Sequence, residues 1–247
     1  MSNELLSATD IHVAFAGVKA ADGVSLSIDN EEFVAIIGPN GSGKTTFLNI
    51  CTGYIKPQKG EVRLAGQPIT GLAPRRIARQ GIARAFQIPQ LFAEHTLVEN
   101  VCLAIASRQG LWGRLRPLLR SHYVDEAMEL LGLLGLKDHA HRPASEMPEG
   151  VKKLADVVLA LAMKPRLLLL DEPTSGVSAI ERFRLMDALM SALREVKLTA
   201  VFVEHDMEVV RDYADKVVVW NNGQILTTGH PSHVFEDERV KTQVVGV

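Results

Sequence analysis

Two kinds of hydrophobic pattern along the chain predict two kinds of β-strand. The stretch "SATDIHVAFAGVKAADGVSLSI" alternates apolar and polar positions and is interrupted by Gly17 and Gly23. A period of two is typical of antiparallel strands with one face exposed, so we expect such strands near the N-terminus. Continuous apolar runs predict strands that are buried on both faces, as in a parallel sheet. Such runs are "FVAIIG" (33–38), "LLLLD" (167–171) and "TAVFVEH" (199–205).

Segments with a helical period lie between these strands. A helix should begin near Lys44 and end near Cys51, directly after the first buried strand. Residues 94–163 contain the helical patterns "LVENVCLAIASRQ" and "YVDEAMELLGLLGL", followed by an amphipathic run after Pro148. Just before that run, Ser145 is a candidate helix cap. Strands that alternate with helices predict an α/β fold with a mostly parallel sheet and helices on both faces.

The same patterns suggest how the chain is organised. We interpret residues 1–247 as one domain, in which 1–93 and 164–247 form a core that carries an antiparallel β subdomain. Residues 94–163 then form an inserted helical subdomain. Near the C-terminus, "KVVVWNNGQILTTG" has an Asn-Gly pair between two alternating runs, which predicts a β-hairpin.

Composition and charge exclude several classes of protein. The 247 residues are 47% hydrophobic and 23% charged, with a net charge of -2, so nucleic acid is not an expected partner. Cys51 and Cys102 lack neighbours at metal-ligand spacing, which argues against structural zinc or disulfides and fits a cytoplasmic setting. We see no signal peptide and no apolar run of about 18 residues. Any action at a membrane should therefore depend on another protein.

The segment "GPNGSGKT" satisfies the pattern G-x-x-x-x-G-K-[ST] directly after a buried strand and before a helix, which predicts a phosphate-binding loop. Glycines let successive N–H groups point at phosphate oxygens, and the helix N-terminus adds partial positive charge. Lys44 would neutralise the β- and γ-phosphates, and the Thr45 hydroxyl would hold Mg²⁺. The predicted nucleotide-binding residues are Gly38, Pro39, Asn40, Gly41, Ser42, Gly43, Lys44, Thr45 and Thr46.

Acidic and polar residues end two of the other buried strands. "LLLLDEP" places Asp171 and Glu172 at the carboxyl end of a strand, where ligands bind in open α/β sheets. Asp171 can reach the Mg²⁺ shell, and Glu172 can act as general base or orient a water towards the γ-phosphate. His205 ends a further strand, at the same sheet edge. Gln87, in "ARAFQIPQLF", is by itself a weak candidate for a site residue.

The order of these motifs resembles that of the ATP-binding subunits of ATP-binding cassette (ABC) transporters, over nearly the whole chain. "GPNGSGKTT" is similar to Walker A and "LLLLDEP" to Walker B, with Glu172 as the catalytic glutamate. The resemblance places Gln87 at the Q-loop, also as a Mg²⁺ ligand, and His205 at the switch histidine. It places Phe15 at the aromatic that stacks on adenine; a core phenylalanine is the alternative. The implied fold is of the P-loop NTPase type, and the implied activity is hydrolysis of ATP with Mg²⁺.

The resemblance also implies partners. Such subunits dimerise head to tail around two ATPs, and closure of the dimer drives a pair of integral membrane permease subunits. "GVKAADGVSLSI", "GIARAFQIPQLFAEHTLVENV" and the C-terminal tail resemble importers of branched-chain and other hydrophobic amino acids. A periplasmic or extracellular solute-binding protein would take part indirectly. The chain would lie in the cytoplasm, on the inner face of the cell membrane. The alternatives are an ATPase subunit of a lipid or other exporter and a soluble non-transport ABC ATPase.

Two positions depart from the family pattern. Alignment with the signature L-S-x-G-x, which contacts the partner's nucleotide, puts Gly150 on its glycine and Pro148 on its serine, with Glu149 between them. Proline offers neither a hydroxyl nor an N–H, although the N–H groups of Glu149 and Gly150 could still face a phosphate. After Walker B, Ser178 stands where the D-loop usually has aspartate.

Both departures lie on the surface that would serve a partner's nucleotide. We therefore hypothesise that the chain works mainly with a different ATPase subunit, while an active homodimer remains the alternative. Separately, "RQGLWGRLRPLLRS" interleaves arginines with apolar residues. It is either a solvated face of the helical subdomain or a contact to anionic lipid headgroups.

Overall fold

A computed structural model of the chain describes residues 3–110 and 121–245. Most of the basic stretch that follows Arg108 therefore lies outside the described residues. The strands are β1 (Glu4–Phe15), β2 (Val18–Asp29), β3 (Phe33–Ile37), β4 (Lys59–Leu64), β5 (Gln67–Pro68), β6 (Ile82–Ala85), β7 (Leu167–Asp171), β8 (Thr199–Val203), β9 (Lys216–Asn221) and β10 (Gln224–Gly229). The helices are α1 (Lys44–Cys51), α2 (Pro74–Gln80), α3 (Leu97–Arg108), α4 (Ser121–Leu133), α5 (Glu149–Ala162), α6 (Ala179–Glu195), α7 (Met207–Tyr213), α8 (Pro231–Val234) and α9 (Glu238–Val240).

The described strands form two sheets. The smaller, in the order β2-β1-β4-β5, is antiparallel and includes both of the predicted N-terminal strands. The larger has the order β10-β9-β3-β8-β7-β6, and its strands are parallel except for β10, which pairs with β9 as the predicted hairpin. The predicted α/β fold of the P-loop NTPase type is thus confirmed. α1 also has the bounds that the sequence pattern predicts.

Two hydrophobic clusters cover the two faces of the larger sheet. In β3, Phe33, Ala35 and Ile37 belong to the cluster that contains α3, α4, α5 and α6. Val34 and Ile36 point the other way, into the cluster shared with α1 and the antiparallel sheet. Because side chains alternate across a strand, a strand covered on both faces must be apolar at every position. This double burial explains the continuous apolar runs in the sequence.

The start of α5 differs from the prediction, because Ser145 does not cap this helix. Ser145 lies in a short 3-10 turn, and its N–H donates to the carbonyl of Ala93. The extended N-cap residue is Pro148, which offers no side-chain hydrogen bond to the helix. Met147, the residue before it, is buried. Ser145 lies three residues before this N-cap, in a turn bonded to Ala93, and is therefore out of place to cap the helix.

Candidate active site

The loop between β3 and α1 is pressed against the backbone of two neighbouring strands. A Cβ atom on Gly38 would lie 2.0 Å from the carbonyl oxygen of Trp220, and one on Gly43 would lie 2.0 Å from that of Ala20. Gly43 also has a φ of 115°, in the region that side chains disfavour. Only glycine can therefore occupy these two positions. The result is a tight loop whose N–H groups lead into the N-terminus of α1, an arrangement suited to phosphate oxygens.

Lys44 is buried at the start of α1 and turns back over the loop. Its Nζ atom donates to the carbonyl oxygens of Gly38 at 2.7 Å and Pro39 at 2.9 Å. Burial lowers the pKa of Lys44, while the negative charges of Glu172 and Asp171 act in the opposite direction. An ammonium group held in this way is positioned to neutralise a bound phosphate.

A polar group with no partner supports the assignment of this loop. The hydroxyl of Ser42 is buried and has no hydrogen-bond partner among the described residues. Buried hydroxyls are normally paired, so this one fits a ligand that brings its own oxygen atoms. Thr45, in the first turn of α1, is exposed, so its hydroxyl can contact a ligand or an ion.

An open cavity of about 400 Å³ lies beside the loop. Its described lining residues are Phe15, Val18, Ala20, Asn40, Gly41, Gly43, Lys44, Thr45, Thr46 and Glu172. The structure thus brings Phe15, at the end of β1, together with the loop residues. The Phe15 side chain is 49% exposed, so it is a surface aromatic and not a core residue. A ring of this kind can stack on the base of a nucleotide that is held by the loop.

Glu172 directly follows β7 and has a positive φ of 51°. Its carboxylate is held on both sides, because Gln87 Nε2 donates to Oε2 at 2.7 Å and His205 Nε2 lies 3.0 Å from Oε1. A residue in this strained backbone region persists only where its surroundings fix it, which is common at functional sites. The three side chains that the sequence picked out from separate strands and loops therefore meet at one carboxylate.

Asp171, the last residue of β7, forms a buried ion pair that the sequence analysis missed. Arg84 of β6 donates from Nη2 to Asp171 Oδ2 and from Nη1 to Asn49 Oδ1, the latter at 2.6 Å. Asp171 and Arg84 are both largely buried, at 7% and 6% side-chain exposure. A single arginine in the otherwise apolar "GIARAF" was the available signal, since a buried cation needs a partner.

Lys153 is a second residue that the sequence analysis did not single out. It lies in the second turn of α5 and is 5% exposed. Its Nζ atom donates to the carbonyl oxygens of Glu172 at 3.1 Å and Gln87 at 3.3 Å, and to Ser175 Oγ at 3.1 Å. Burial lowers the pKa of Lys153. One buried ammonium group therefore joins α5 to the backbone on both sides of the candidate site.

The residue before His205 is also fixed from inside the protein. Glu204 is 3% exposed and accepts hydrogen bonds from the Thr174 N–H at 2.9 Å and the Thr174 hydroxyl at 2.8 Å. Burial raises the pKa of Glu204, and these hydrogen bonds oppose the rise. The carboxylate thereby ties the end of β8 to the segment that follows Glu172. His205 itself remains exposed.

The residues predicted to serve a partner's nucleotide are not among the described lining of the cavity beside the loop. Pro148 and Glu149 are exposed at the N-terminus of α5, and Gly150 is half-buried. Ser178 is the exposed N-cap of α6; its hydroxyl donates to Glu181 Oε2 at 2.8 Å and accepts from the Glu181 N–H at 3.4 Å. Serine is a favoured N-cap residue, which gives a local structural reason for serine at this position.

A magnesium ion would find only part of its coordination shell in this chain. The described residues contain no cluster of three or more His, Cys, Asp or Glu side chains that could hold a metal ion. Of the three residues predicted to bind this ion, Thr45 lines the cavity beside the loop, Asp171 is paired with Arg84, and Gln87 donates to Glu172. Magnesium bound by one or two protein groups usually completes its shell with substrate phosphates and water, which suits a site next to a phosphate-binding loop.

Within residues 3–110 and 121–245, no helix combines the length and the apolar character that crossing a membrane requires.

Similarity to known proteins agrees with this geometry. A family model described as ABC transporter matches residues 21–175. The chain is 35% identical to the high-affinity branched-chain amino acid transport ATP-binding protein LivG of Escherichia coli, over 100% of this chain and 99% of that protein. The corresponding protein BraF of Pseudomonas aeruginosa is also 35% identical, with the same coverage.

Solved structures give the same result. The structure of the ADP conformation of MJ1267, an ATP-binding cassette of an ABC transporter, superposes with a TM-score of 0.86 at 31% identity and covers 100% of both chains. A nucleotide-free cassette from an ABC transporter superposes with a TM-score of 0.80 at 30% identity, over 96% of this chain and 97% of that one.

Proposed function

Because the chain belongs to the ABC transporter family of ATP-binding subunits and hydrolyses ATP to drive solute uptake, we propose that its solute is a branched-chain or other hydrophobic amino acid. The names of LivG and BraF support this solute class. The export and non-transport alternatives are not favoured by these relatives. The permease subunits would be separate membrane proteins, and a solute-binding protein would deliver the amino acid. The chain would then lie on the cytoplasmic face of the cell membrane.

The observation that carries the proposed mechanism is the position of the Glu172 carboxylate. It contacts Gln87 and His205 through its two oxygen atoms and lines the same cavity as Lys44. In the proposed mechanism Glu172 orients a water molecule for in-line attack on the γ-phosphate, or accepts its proton. His205 contacts the γ-phosphate. Gln87, in the segment that follows β6, holds the other oxygen of this carboxylate.

The phosphate loop supplies the binding half of the mechanism. Lys44, with the loop N–H groups and the N-terminus of α1, would compensate the charge of the β- and γ-phosphates. Phe15 would stack on adenine. Thr45, Gln87 and Asp171 would hold Mg²⁺, which on binding neutralises developing charge on the phosphates. The Arg84 side chain fixes the orientation of the Asp171 carboxylate through their ion pair.

We propose further that residues 94–163 act as a helical subdomain that presents Pro148, Glu149 and Gly150 to a second ATPase subunit. The N–H groups of the first helical turn have no partner within a helix, so those of Glu149 and Gly150 remain available to an anion. Loss of one hydrogen bond to a charged group costs about 1.5–3 kcal/mol. Closure over a partner's nucleotide through this loop would be about tenfold to a hundredfold weaker than through a serine.

The asymmetry between the two surfaces favours a heteromeric pair. The chain keeps all the groups that it needs for its own ATP, whereas both departures, at Pro148 and Ser178, would act on the partner's ATP. We therefore favour a different ATPase subunit as the partner, with a homodimer as the alternative.

The solute assignment can be tested with purified complex. The chain would be isolated with its permease subunits and reconstituted into vesicles that contain ATP, and uptake of labelled leucine would be measured with the solute-binding protein outside. We expect ATP-dependent uptake, and none from complex that carries Glu172→Gln. Hydrolysis without uptake of leucine, isoleucine, valine or phenylalanine would contradict the solute class and leave the ATPase assignment intact.

A Pro148→Ser variant tests the partner assignment. It restores a hydroxyl at the exposed N-cap of α5, so a heteromeric complex should bind ATP more tightly at the partner's site. The matched control is Ser145→Ala, which changes an exposed serine that does not cap the helix. Unchanged turnover and nucleotide affinity in the Pro148→Ser complex would contradict the proposal that Pro148 weakens the partner's nucleotide site.

A further inference from the structure

A second cavity, of about 520 Å³, lies on a different part of the molecule from the candidate active site. It is formed where α2, α3 and α5 end and where β6 begins. Its described lining includes Arg75, Arg79, Arg108, Lys164 and Arg166. None of them lines the cavity beside the phosphate loop. This second cavity is called the basic cavity below.

The basic cavity concentrates positive charge. Five of its described lining residues are arginine or lysine, and none of the described ones is acidic. Glu126 is the carboxylate that pairs with them in the described residues; it contacts both Arg108 and Lys164 at 3.0 Å. Arg75, Arg79 and Arg166 form no ion pair there. Residues 111–120 cannot supply a missing side-chain carboxylate, because "LWGRLRPLLR" contains no Asp or Glu.

Helix ends explain only part of this charge. The C-termini of α2, α3 and α5 meet at the cavity, and each carries at most about half a negative charge. Even at that upper limit, three helix ends and Glu126 leave about 2.5 of the five positive charges uncompensated. Like charges gathered in one concavity repel each other. A bound anion of matching charge would remove that repulsion.

Two of the cations are held in place by the protein. Arg108 donates from Nη1 to the carbonyl oxygen of Ala162 at 2.5 Å and holds Glu126 through both Nη atoms at 3.0 Å. The stem of Arg166 packs on Gly81, where an added Cβ would lie 2.9 Å from Arg166 Cγ. Side chains that are fixed before binding lose less entropy when a ligand arrives. Arg108 and the stem of Arg166 are therefore fixed before a ligand arrives, and the guanidinium groups of Arg75, Arg79 and Arg166 carry the charge that has no carboxylate partner in the described residues.

We propose that the basic cavity binds a phosphate-bearing group with about two negative charges. Guanidinium groups match phosphate geometry through paired hydrogen bonds, and a cavity of this size admits a phosphoglycerol group. The same chemistry is present in the headgroup of an anionic phospholipid and in a free phosphate ester. Binding at this site is independent of the phosphate loop.

The test uses the full chain and two probes of the same chemistry. One probe is vesicles of phosphatidylcholine mixed equally with phosphatidic acid, in a flotation assay, with pure phosphatidylcholine vesicles as the blank. The other is soluble glycerol 3-phosphate, in calorimetry. Arg79→Gln with Arg166→Gln removes two exposed cavity cations. Lys59→Gln with Lys197→Gln removes the same charge from exposed positions outside the cavity.

The Arg79→Gln, Arg166→Gln variant should lose affinity for the probes by about tenfold or more, since hydrogen bonds to charged groups are lost. The Lys59→Gln, Lys197→Gln control should bind the probes as the wild type does. Binding to vesicles alone identifies a lipid headgroup as the ligand, and binding to both probes identifies phosphate esters in general. The phosphate loop is unaltered in all three proteins, so it cannot produce a difference between them. Absence of binding to both probes, or equal losses in the two variants, would overturn the proposal.

Discussion

The ammonium group of Lys153 lies 3.1 Å from the carbonyl oxygen of Glu172, the residue whose carboxylate forms the centre of the candidate active site. The same ammonium group also contacts the carbonyl oxygen of Gln87. Gln87 and Glu172 are thus linked in two ways. Their side chains form a hydrogen bond, and their carbonyl oxygens both accept from Lys153. Because Lys153 belongs to α5, whose first residues would face a partner's nucleotide, any shift of α5 acts on the backbone of both residues.

Replacement of Lys153 should impair both stability and turnover. Lys153→Met fills a similar volume but removes the donor to the carbonyl oxygens of Gln87 and Glu172, so we expect the free energy of unfolding to fall by about 1.5–3 kcal/mol. ATP turnover should fall as well, because Glu172 and Gln87 lose their common support. Urea denaturation and single-turnover hydrolysis measure the two effects. Lys153→Arg keeps the donors and is the control. If Lys153→Met hydrolysed ATP at the wild-type rate, Lys153 would have no role in positioning.

The pH dependence of turnover gives a separate test of Lys153. Burial lowers the pKa of Lys153. The negative charges of nearby acidic residues oppose this shift; these are Glu149, Glu204, Glu172 and Asp156. Its charge is therefore lost at a pH below the usual value for lysine, and turnover should decline there. Since the unfolded chain binds the proton more tightly, the contribution of Lys153 to stability should rise over the same range.

Lys153→Arg distinguishes this group from the other buried lysine. Arginine stays protonated, so the alkaline decline of turnover should move to higher pH in that variant. Burial also lowers the pKa of Lys44. An alkaline decline at the same pH in wild type and Lys153→Arg would assign it to Lys44 or to another group.

Two glycines of the phosphate loop form a matched pair for mutation. Both have positive φ, 115° at Gly43 and 76° at Gly41, so alanine costs about 1–3 kcal/mol of backbone strain at either. A Cβ at Gly43 would also collide with the Ala20 carbonyl, whereas none at Gly41 would meet an atom within 4 Å. Gly43→Ala should therefore be the less stable variant and should lose ATP binding. Equal unfolding free energies for the two variants would contradict this packing.

Phe15→Ala tests the nucleotide base contact. The ring is half exposed beside the loop, and stacking of a base on an aromatic contributes about 1–3 kcal/mol. ATP affinity should fall by about 5- to 150-fold, while the affinity for tripolyphosphate, which has no base, should not change. Phe15→Tyr is the control and should bind ATP normally. A parallel loss of both ligands would instead mean that Phe15 supports the loop.

Residues whose role depends on local sequence could be predicted from the chain alone. The bounds of α1 and the burial of β3 follow from apolar runs and a glycine pattern, and the structure confirms both. The sequence also pointed to Glu172, Gln87 and His205, and the structure brings these side chains into contact. Their catalytic roles stay predictions.

Residues whose role depends on tertiary packing could not be predicted in this way. A lysine on an amphipathic helix normally faces water, and Lys153 is buried only because α5 packs over the segment that contains Gln87 and over the end of β7. Arg84 was missed for a similar reason, since its partner Asp171 is distant in sequence. Ser145 gave a false capping signal because it lies in a separate turn, bonded to the distant residue Ala93, three residues before the N-cap of α5.

The most direct test of the account is ATP hydrolysis by Glu172→Gln in the assembled complex. The amide keeps the size of the side chain but cannot accept a proton, so turnover should fall by about 100- to 10,000-fold. ATP affinity should stay close to that of the wild type, because the phosphate loop is untouched. A variant that binds ATP normally and barely hydrolyses it would support Glu172 as the catalytic carboxylate. A variant that keeps wild-type turnover would contradict the mechanism.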